Sequence, residues 1–352
     1  NKSRQTAWWM TGLAMSYLSL CSHSHFALTL TLLSLSLCSH SHLALTLDLT
    51  MDQLALPPVS VMPSLMTALP TDTVVRVFKR LQHVKLEAET IVQKFEQDAQ
   101  YSGNQFLVLL KLRPQMAERL FNDHRCLEGI DYRFEFEGDT GVLRLVPGYK
   151  HEYTKTSLLQ KINLQLGRMG LNEYYRWGGA TRYKSTARGK EGDQVFSPAQ
   201  RWPSSDGLSW PTMVIETGVS ESRPKLVEDA RWWFGSSEGQ VRIVILISVT
   251  NRAVHIEKWQ LAPPDAPHPL TRTYINTLRD IPINVPPSTR QPLGIQQPYS
   301  CAEIEITDHN VVGAPLVIPF CALFDVPSRP PHMHDVVLDG STLRFIAELN
   351  FL

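Results

Sequence analysis

Three acidic residues of this chain stand where carboxylates can do chemistry. Glu152 falls in the first turn of a predicted helix, Asp193 opens the short strand Gln194-Val195-Phe196, and Glu216 ends the apolar run Met213-Val214-Ile215. An acid at a strand end is usually just solvated. Glu216 is harder to dismiss, because it follows directly on a run apolar enough to be buried, and a buried carboxylate needs a partner, a proton or a metal. Two or three carboxylates at one end of a sheet make an oxygen-rich site suited to Mg²⁺ or Mn²⁺. Such an ion polarises a phosphodiester and lowers the pKa of an attacking water.

The elements that must position these acids can be read from periodicity. Tyr132 to Glu137 and Val142 to Val146 alternate apolar with polar residues around Gly138-Asp139-Thr140-Gly141, which describes a β-hairpin. His151 to Met169 sets Leu158, Leu159, Ile162, Leu166 and Met169 at helical spacing and stops at Gly170. A strand around Tyr174–Trp177, a polar loop from Gly178 to Gly192, and the strands at 194–196 and Thr212–Thr217 follow. Lys225 to Phe234 predicts a helix, Val241 to Val249 a buried strand, and Val254 to Trp259 a strand beside it. This order, with a helix crossing between two apolar strands, gives a mixed sheet of α/β type.

Outside that core, Thr73 to Gln100 reads as a surface helix or helix pair, and Gln105 to Leu112 as a strand followed by a helix. Pro263 to Pro298 is proline-rich loop. Ala302–Ile306, Ala314–Pro319 and Val336–Leu343 read as strands of a small appended β layer. The expected organisation is a low-complexity leader at 1–70, a helical or mixed region at 71–130, the core at 131–262, a proline-rich loop at 263–300 and a C-terminal β extension at 301–352.

At 352 residues with a hydrophobic fraction of 43%, the chain can bury a sizeable core. Lys plus Arg and Asp plus Glu both total 34, so net charge argues for neither a nucleic-acid nor a membrane partner. Five scattered cysteines make no disulfide framework and favour a reducing, intracellular setting, cytoplasmic or nuclear. In the leader, Leu20–Leu32 recurs almost unchanged as Leu37–Leu49. The duplication accounts for Cys21, His23, His25 and their copies Cys38, His40, His42 without a metal. Lys2 and Arg4 precede a Leu-rich run in the manner of a signal peptide, but histidines interrupt the run and no cleavage site follows. No run reaches the roughly 18 apolar residues of a membrane span, and Met51 is a plausible start.

His151-Glu152, GDQVFSPA (Gly192–Ala199), WPTMVIETGVSES (Trp210–Ser222), DARWW (Asp229–Trp233) and the 241–249 strand together resemble the fungal branch of the PD-(D/E)XK, restriction-endonuclease-like superfamily. They are similar, more distantly, to restriction-endonuclease-like proteins of cyanobacteria. GAPLVIPFCALF and DVVLDGSTLRFIA resemble the C-terminal region of the fungal proteins. The resemblance implies a restriction-endonuclease-like mixed sheet flanked by helices. It places the family's helix acid on Glu152, its strand-opening aspartate on Asp193 and its E-x-K glutamate on Glu216, with all three as metal ligands. Where the family sets lysine two residues later, this chain has Gly218. Some members move the basic residue to the next helix, where Lys225 and Arg231 are the candidates to steady a phosphate; arginine holds phosphate but cannot accept a proton.

The supporting residues have blander readings. Trp232 and Trp233 suit core packing better than base stacking. Ser220 and Ser222 suit a loop or cap before Pro224, and His151 a helix start. Arg182, Tyr183, Lys184 and Arg188 form a basic, partly aromatic stretch that could contact phosphates, or a solvated loop. The expectation is a Mg²⁺- or Mn²⁺-dependent nuclease acting on DNA. The alternative is a degenerate nuclease fold that binds nucleic acid or protein without cleaving. A carbohydrate- or ester-directed hydrolase lacks support, since there is no G-x-S-x-G elbow and no ordered Ser, Asp and His set.

Overall fold

The computed structural model describes residues 64–351 apart from 99–102, 146–148, 180, 186–187, 203–208, 220–222, 251 and 282–290. The duplicated leader, Met51, Ser220 and Ser222 lie outside the described residues. The chain begins with β1 (Val74–Val77), α1 (Leu81–Gln97), β2 (Phe106–Leu110) and α2 (Pro114–Asn122). Helix α1 turns Val84, Ala88, Ile91 and Phe95 inward, at the spacing its sequence announces. Strands β3 (Tyr132–Glu137) and β4 (Thr140–Leu145) form the expected hairpin, with Phe134 opposite Leu143.

Helix α3 (Tyr149–Arg168) then leads to β5 (Tyr175–Gly178), β6 (Arg182–Lys184), β7 (Arg188–Glu191), β8 (Gln194–Pro198), β9 (Met213–Val219), α4 (Arg223–Ser236), β10 (Ile243–Val249) and β11 (Ala253–Leu261). Helix α5 (Arg272–Asp280), β12 (Pro298–Thr307), β13 (Val311–Val312), β14 (Leu316–Ile318), α6 (Phe320–Phe324), β15 (Val336–Leu338) and α7 (Gly340–Ala347) complete the described chain.

The main sheet runs β13-β12-β11-β10-β9-β8-β5. Strands β5, β8 and β9 are antiparallel neighbours, and α4 carries the chain across to β10, which lies parallel to β9 with Leu246 opposite Glu216. Alternation along β9 divides its side chains between two faces. Met213 and Ile215 join Leu158, Ile162 and Leu166 of α3 in one core, whereas Val214 joins Leu226, Ala230 and Trp233 of α4 in another. This helix–sheet–helix layering makes a mixed α/β core.

The second sheet, β1-β2-β4-β3-β7-β6, changes the picture of the neighbouring segments. The hairpin β3–β4 does not lead the core sheet; β4 pairs with β2, with Val108 opposite Val142. Alternation identifies a strand but not the sheet it joins. Residues 178–192, expected as loop, carry β6 and β7, and β7 pairs with β3 through Phe136 and Gly189. The residues of β7, Arg-Gly-Lys-Glu, offer no apolar period to read, yet all four are buried. In the proline-rich stretch, Thr271 caps α5 by accepting from the Tyr274 N–H. Strand β12 pairs with β11, so it widens the main sheet and is not a strand of a separate layer. The expected strand 336–343 stops at Leu338, because the Asp339 carboxylate accepts the Thr342 N–H and starts α7. Among the described residues no helix is long and apolar enough to cross a membrane.

Candidate active site

Glu216 shares a face of β9 with Val214 and so points toward α4, where its Oε1 accepts the Trp233 Nε1–H at 2.7 Å. Asp193 stands between β7 and β8, next to Gly192, where a Cβ would come within 3.1 Å of the Trp233 ring. Its Oδ2 accepts the backbone N–H of Thr217 at 2.8 Å, which ties the strand opening to β9. Both acids are buried, Asp193 at 1% and Glu216 at 0% exposure.

Cations from the neighbouring sheet meet these carboxylates. Arg144 of β4 donates to Asp193 Oδ1, lies 3.5 Å from Glu216 Oε2, and donates to the Thr217 carbonyl at 3.1 Å. Arg133 of β3 approaches the same Asp193 oxygen at 3.6 Å. Lys190 of β7 sits 3.5 Å from Glu216 Oε1 and 3.0 Å from Asp229 of α4. Lys225 bridges Asp229 and Glu135, and Arg188 reaches Glu135 at 2.7 Å. Four acids (Glu135, Asp193, Glu216, Asp229) thus interlock with four cations (Arg144, Arg188, Lys190, Lys225), none more than 9% exposed.

The electrostatics follow from this interlock. Burial opposes ionisation of Glu135, but Lys225, Lys190 and Arg188 outweigh it and hold the carboxyl well below its usual range. For Glu216 burial wins: its pKa is raised, with Asp193 and Asp229 adding to the effect and Lys190 and Arg144 opposing it. Lys190 is raised although burial opposes its charge, because Asp229, Glu216 and Glu135 surround it. The two directions are compatible: Lys190 sees three acids, whereas Glu216 must share its cations. Between the second sheet and α4 remains a cavity of about 10 Å³, lined in part by Glu135, Arg144, Lys190, Lys225 and Asp229, room for about one water.

A divalent ion of the Mg²⁺ type needs several oxygens at roughly 2.1 Å, water included. Both Asp193 oxygens already accept hydrogen bonds. Glu216 Oε2 makes no hydrogen bond, but it faces the Arg144 guanidinium. Among the described residues no group of three His, Cys, Asp or Glu side chains could hold a metal. The residues as placed do not fit a divalent ion; guanidinium and ammonium groups supply the positive charge.

Of the residues singled out in the sequence, the structure brings together Asp193, Glu216 and Lys225 and sets two apart. Glu152 is exposed and pairs with Lys155 at 2.8 Å, on the helix that covers the opposite face of β9. Arg231 is exposed and pairs with Glu228. Trp232 and Trp233 are buried, their rings edge to face at 5.0 Å. The sequence reading missed Glu135, Arg144, Lys190 and Asp229. The available signal was charge sign: Arg133 faces Arg144 across the hairpin, a like-charge pair that needs acids from elsewhere.

No family model matches the chain, and no curated protein matches it. Among solved structures, one from Anabaena variabilis, described as a candidate nuclease belonging to DUF820, is similar at 18% identity and a TM-score of 0.29, over 39% of this chain and 81% of that one. Fold and site together define a mixed α/β protein whose buried carboxylate pair, Asp193 and Glu216, is neutralised by Arg144 and Lys190 of an adjoining sheet.

Proposed function

We propose that this chain is a nuclease-fold protein that binds nucleic acid without cleaving it. The observation that carries the reading is the placement of Arg144 and Lys190 around Asp193 and Glu216, where metal-dependent hydrolysis needs metal and water. Gly218 agrees with it, since β9 offers no lysine beside Glu216. Nucleic acid as the partner rests on analogy with nuclease folds, an associational step. The test is incubation of the protein with single- and double-stranded DNA in Mg²⁺ or Mn²⁺, followed by gel analysis and a mobility-shift assay. Retarded but intact DNA is the expected outcome. Metal-dependent cleavage that disappears in both Asp193→Ala and Glu216→Ala would overturn the reading.

One observation favours a second reading, a Mg²⁺-dependent DNA nuclease. Lys190 lies 3.5 Å from Glu216 and so supplies in space the cation that Gly218 does not supply in sequence. The same assay decides between the two.

A further inference from the structure

The edge strand β6 borders a surface hollow of about 380 Å³ lined by Phe121, Asn122, Arg182, Tyr183, Lys184 and Trp210. That volume falls within the roughly 300–1,000 Å³ typical of small-ligand sites. Its wall is aromatic and cationic at once. The half-buried Trp210 stacks on Tyr183 with centroids 5.1 Å apart and planes 18° apart. Behind this pair Trp232 and Trp233 meet Trp210 edge-on, at 5.9 and 6.1 Å, which fixes the platform. On the other side Lys184 Nζ lies 5.4 Å and Arg182 Cζ 5.9 Å from the Phe121 ring centroid.

Both cations have acid partners that leave donors to spare. Lys184 holds Glu118 at 2.7 Å, but each side chain is nearly half exposed, so an incoming anion can compete for the ammonium. Arg182 commits its Nε to Glu191 at 2.8 Å, and a guanidinium carries five N–H donors. A ligand suited to this wall carries a flat ring to stack and an anionic oxygen cluster to meet Lys184 and Arg182.

We propose that the hollow takes one nucleotide unit, its base against Trp210 and its phosphate between Lys184 and Arg182. The assignment deepens the non-cleaving nucleic-acid-binding reading and rests on it. A free nucleotide and one unit of a single strand offer the same chemistry, and the experiment separates them.

The probe is a fluorescein-labelled thymidine oligonucleotide of about twelve residues, titrated with the full chain in EDTA and followed by anisotropy. Unlabelled thymidine monophosphate and inorganic phosphate serve as competitors. Expected is binding that weakens as salt rises, and a loss of about tenfold or more for Lys184→Glu and Trp210→Ala, the range one lost stacking or phosphate contact gives. Trp210→Ala opens the aromatic cluster, so the exposed Lys184→Glu, checked for native circular dichroism, carries the test if Trp210→Ala fails to fold. Competition by monophosphate at oligonucleotide-like concentrations assigns the site to the free nucleotide; competition by the oligonucleotide alone assigns it to a strand. Equal competition by inorganic phosphate, or an equal loss in Lys85→Glu on α1, overturns the pocket. Binding unchanged in Lys184→Glu and Trp210→Ala overturns it while leaving nucleic-acid binding intact. Cleavage of DNA in the separate Mg²⁺ and Mn²⁺ incubation, with the pocket variants still weakened in EDTA, overturns the non-cleaving reading alone.

Discussion

Arg144 has the most to lose at the residue scale, because its guanidinium serves two buried acids and a carbonyl. Arg144→Met would leave Asp193 and Glu216 short of positive charge inside a core. Removing one partner of a buried ion pair typically costs about 3–5 kcal/mol. Urea denaturation should show a loss of that order, and adding Asp193→Asn should return part of it, as coupled neighbours do. An additive double variant would show that the pair is not coupled. Asp193 and Glu216 were readable because strand patterns mark their positions. Arg144 was not, since a charged residue in an alternating strand reads as solvent-facing unless a second layer is known to cover it, and Lys190 was not, since it lies in a segment whose sequence reads as polar loop.

Glu191 makes a second residue-scale prediction. Burial raises its pKa from 4.5 to about 7, against the pull of Arg182, Arg133 and Lys190, and its Oε2 has no hydrogen-bond partner. A folded pKa above the unfolded one means that the folded state holds the proton longer. The resulting stability is therefore fully present below 4.5 and is lost as pH rises through about 7. The swing is on the order of 3 kcal/mol. The parent protein should lose melting temperature between pH 5 and 8 relative to Glu191→Gln. Parallel curves for the two proteins would show that Glu191 is ionised throughout.

The β6–β7 insertion is the element that brings the two sheets' chemistry together. It leaves the core after β5, pairs with β3, delivers Arg188 and Lys190 to the cluster, and returns at Asp193 to start β8. Gly189 permits this pairing: a Cβ there would lie 2.6 Å from the Phe136 ring, which itself meets Phe121 edge to face at 5.4 Å. Gly189→Ala must push that ring aside, and overpacking of this kind costs about 1–3 kcal/mol. Denaturant midpoints should fall accordingly, with partial recovery when Phe136→Leu makes room; no recovery would place the strain elsewhere. The core strands β8 to β11 were readable from their apolar runs. The insertion was hidden for the opposite reason, since its burial is achieved through ion pairs and leaves no hydrophobic period.

Across the described residues, the charge cluster is the joint between the two sheets. Each sheet alone would expose or strand half of it: Glu135 and Arg144 belong to one, Asp193, Glu216, Lys225 and Asp229 to the other or its helix. A buried cluster held from both sides ties the opening of one sheet to the opening of the other, because a separated half would carry uncompensated charge. Native-state hydrogen exchange should therefore show the slowest amides of β2 and β4 opening with the same free energy as those of β9 and β10, as members of one cooperative unit do. Arg144→Met should uncouple them, so that the N-terminal sheet exchanges first. If the parent protein already shows two distinct opening free energies, the cluster is a local feature of the site rather than the joint of the molecule, and the covering of Asp193 and Glu216 would be a state the protein leaves without unfolding its core.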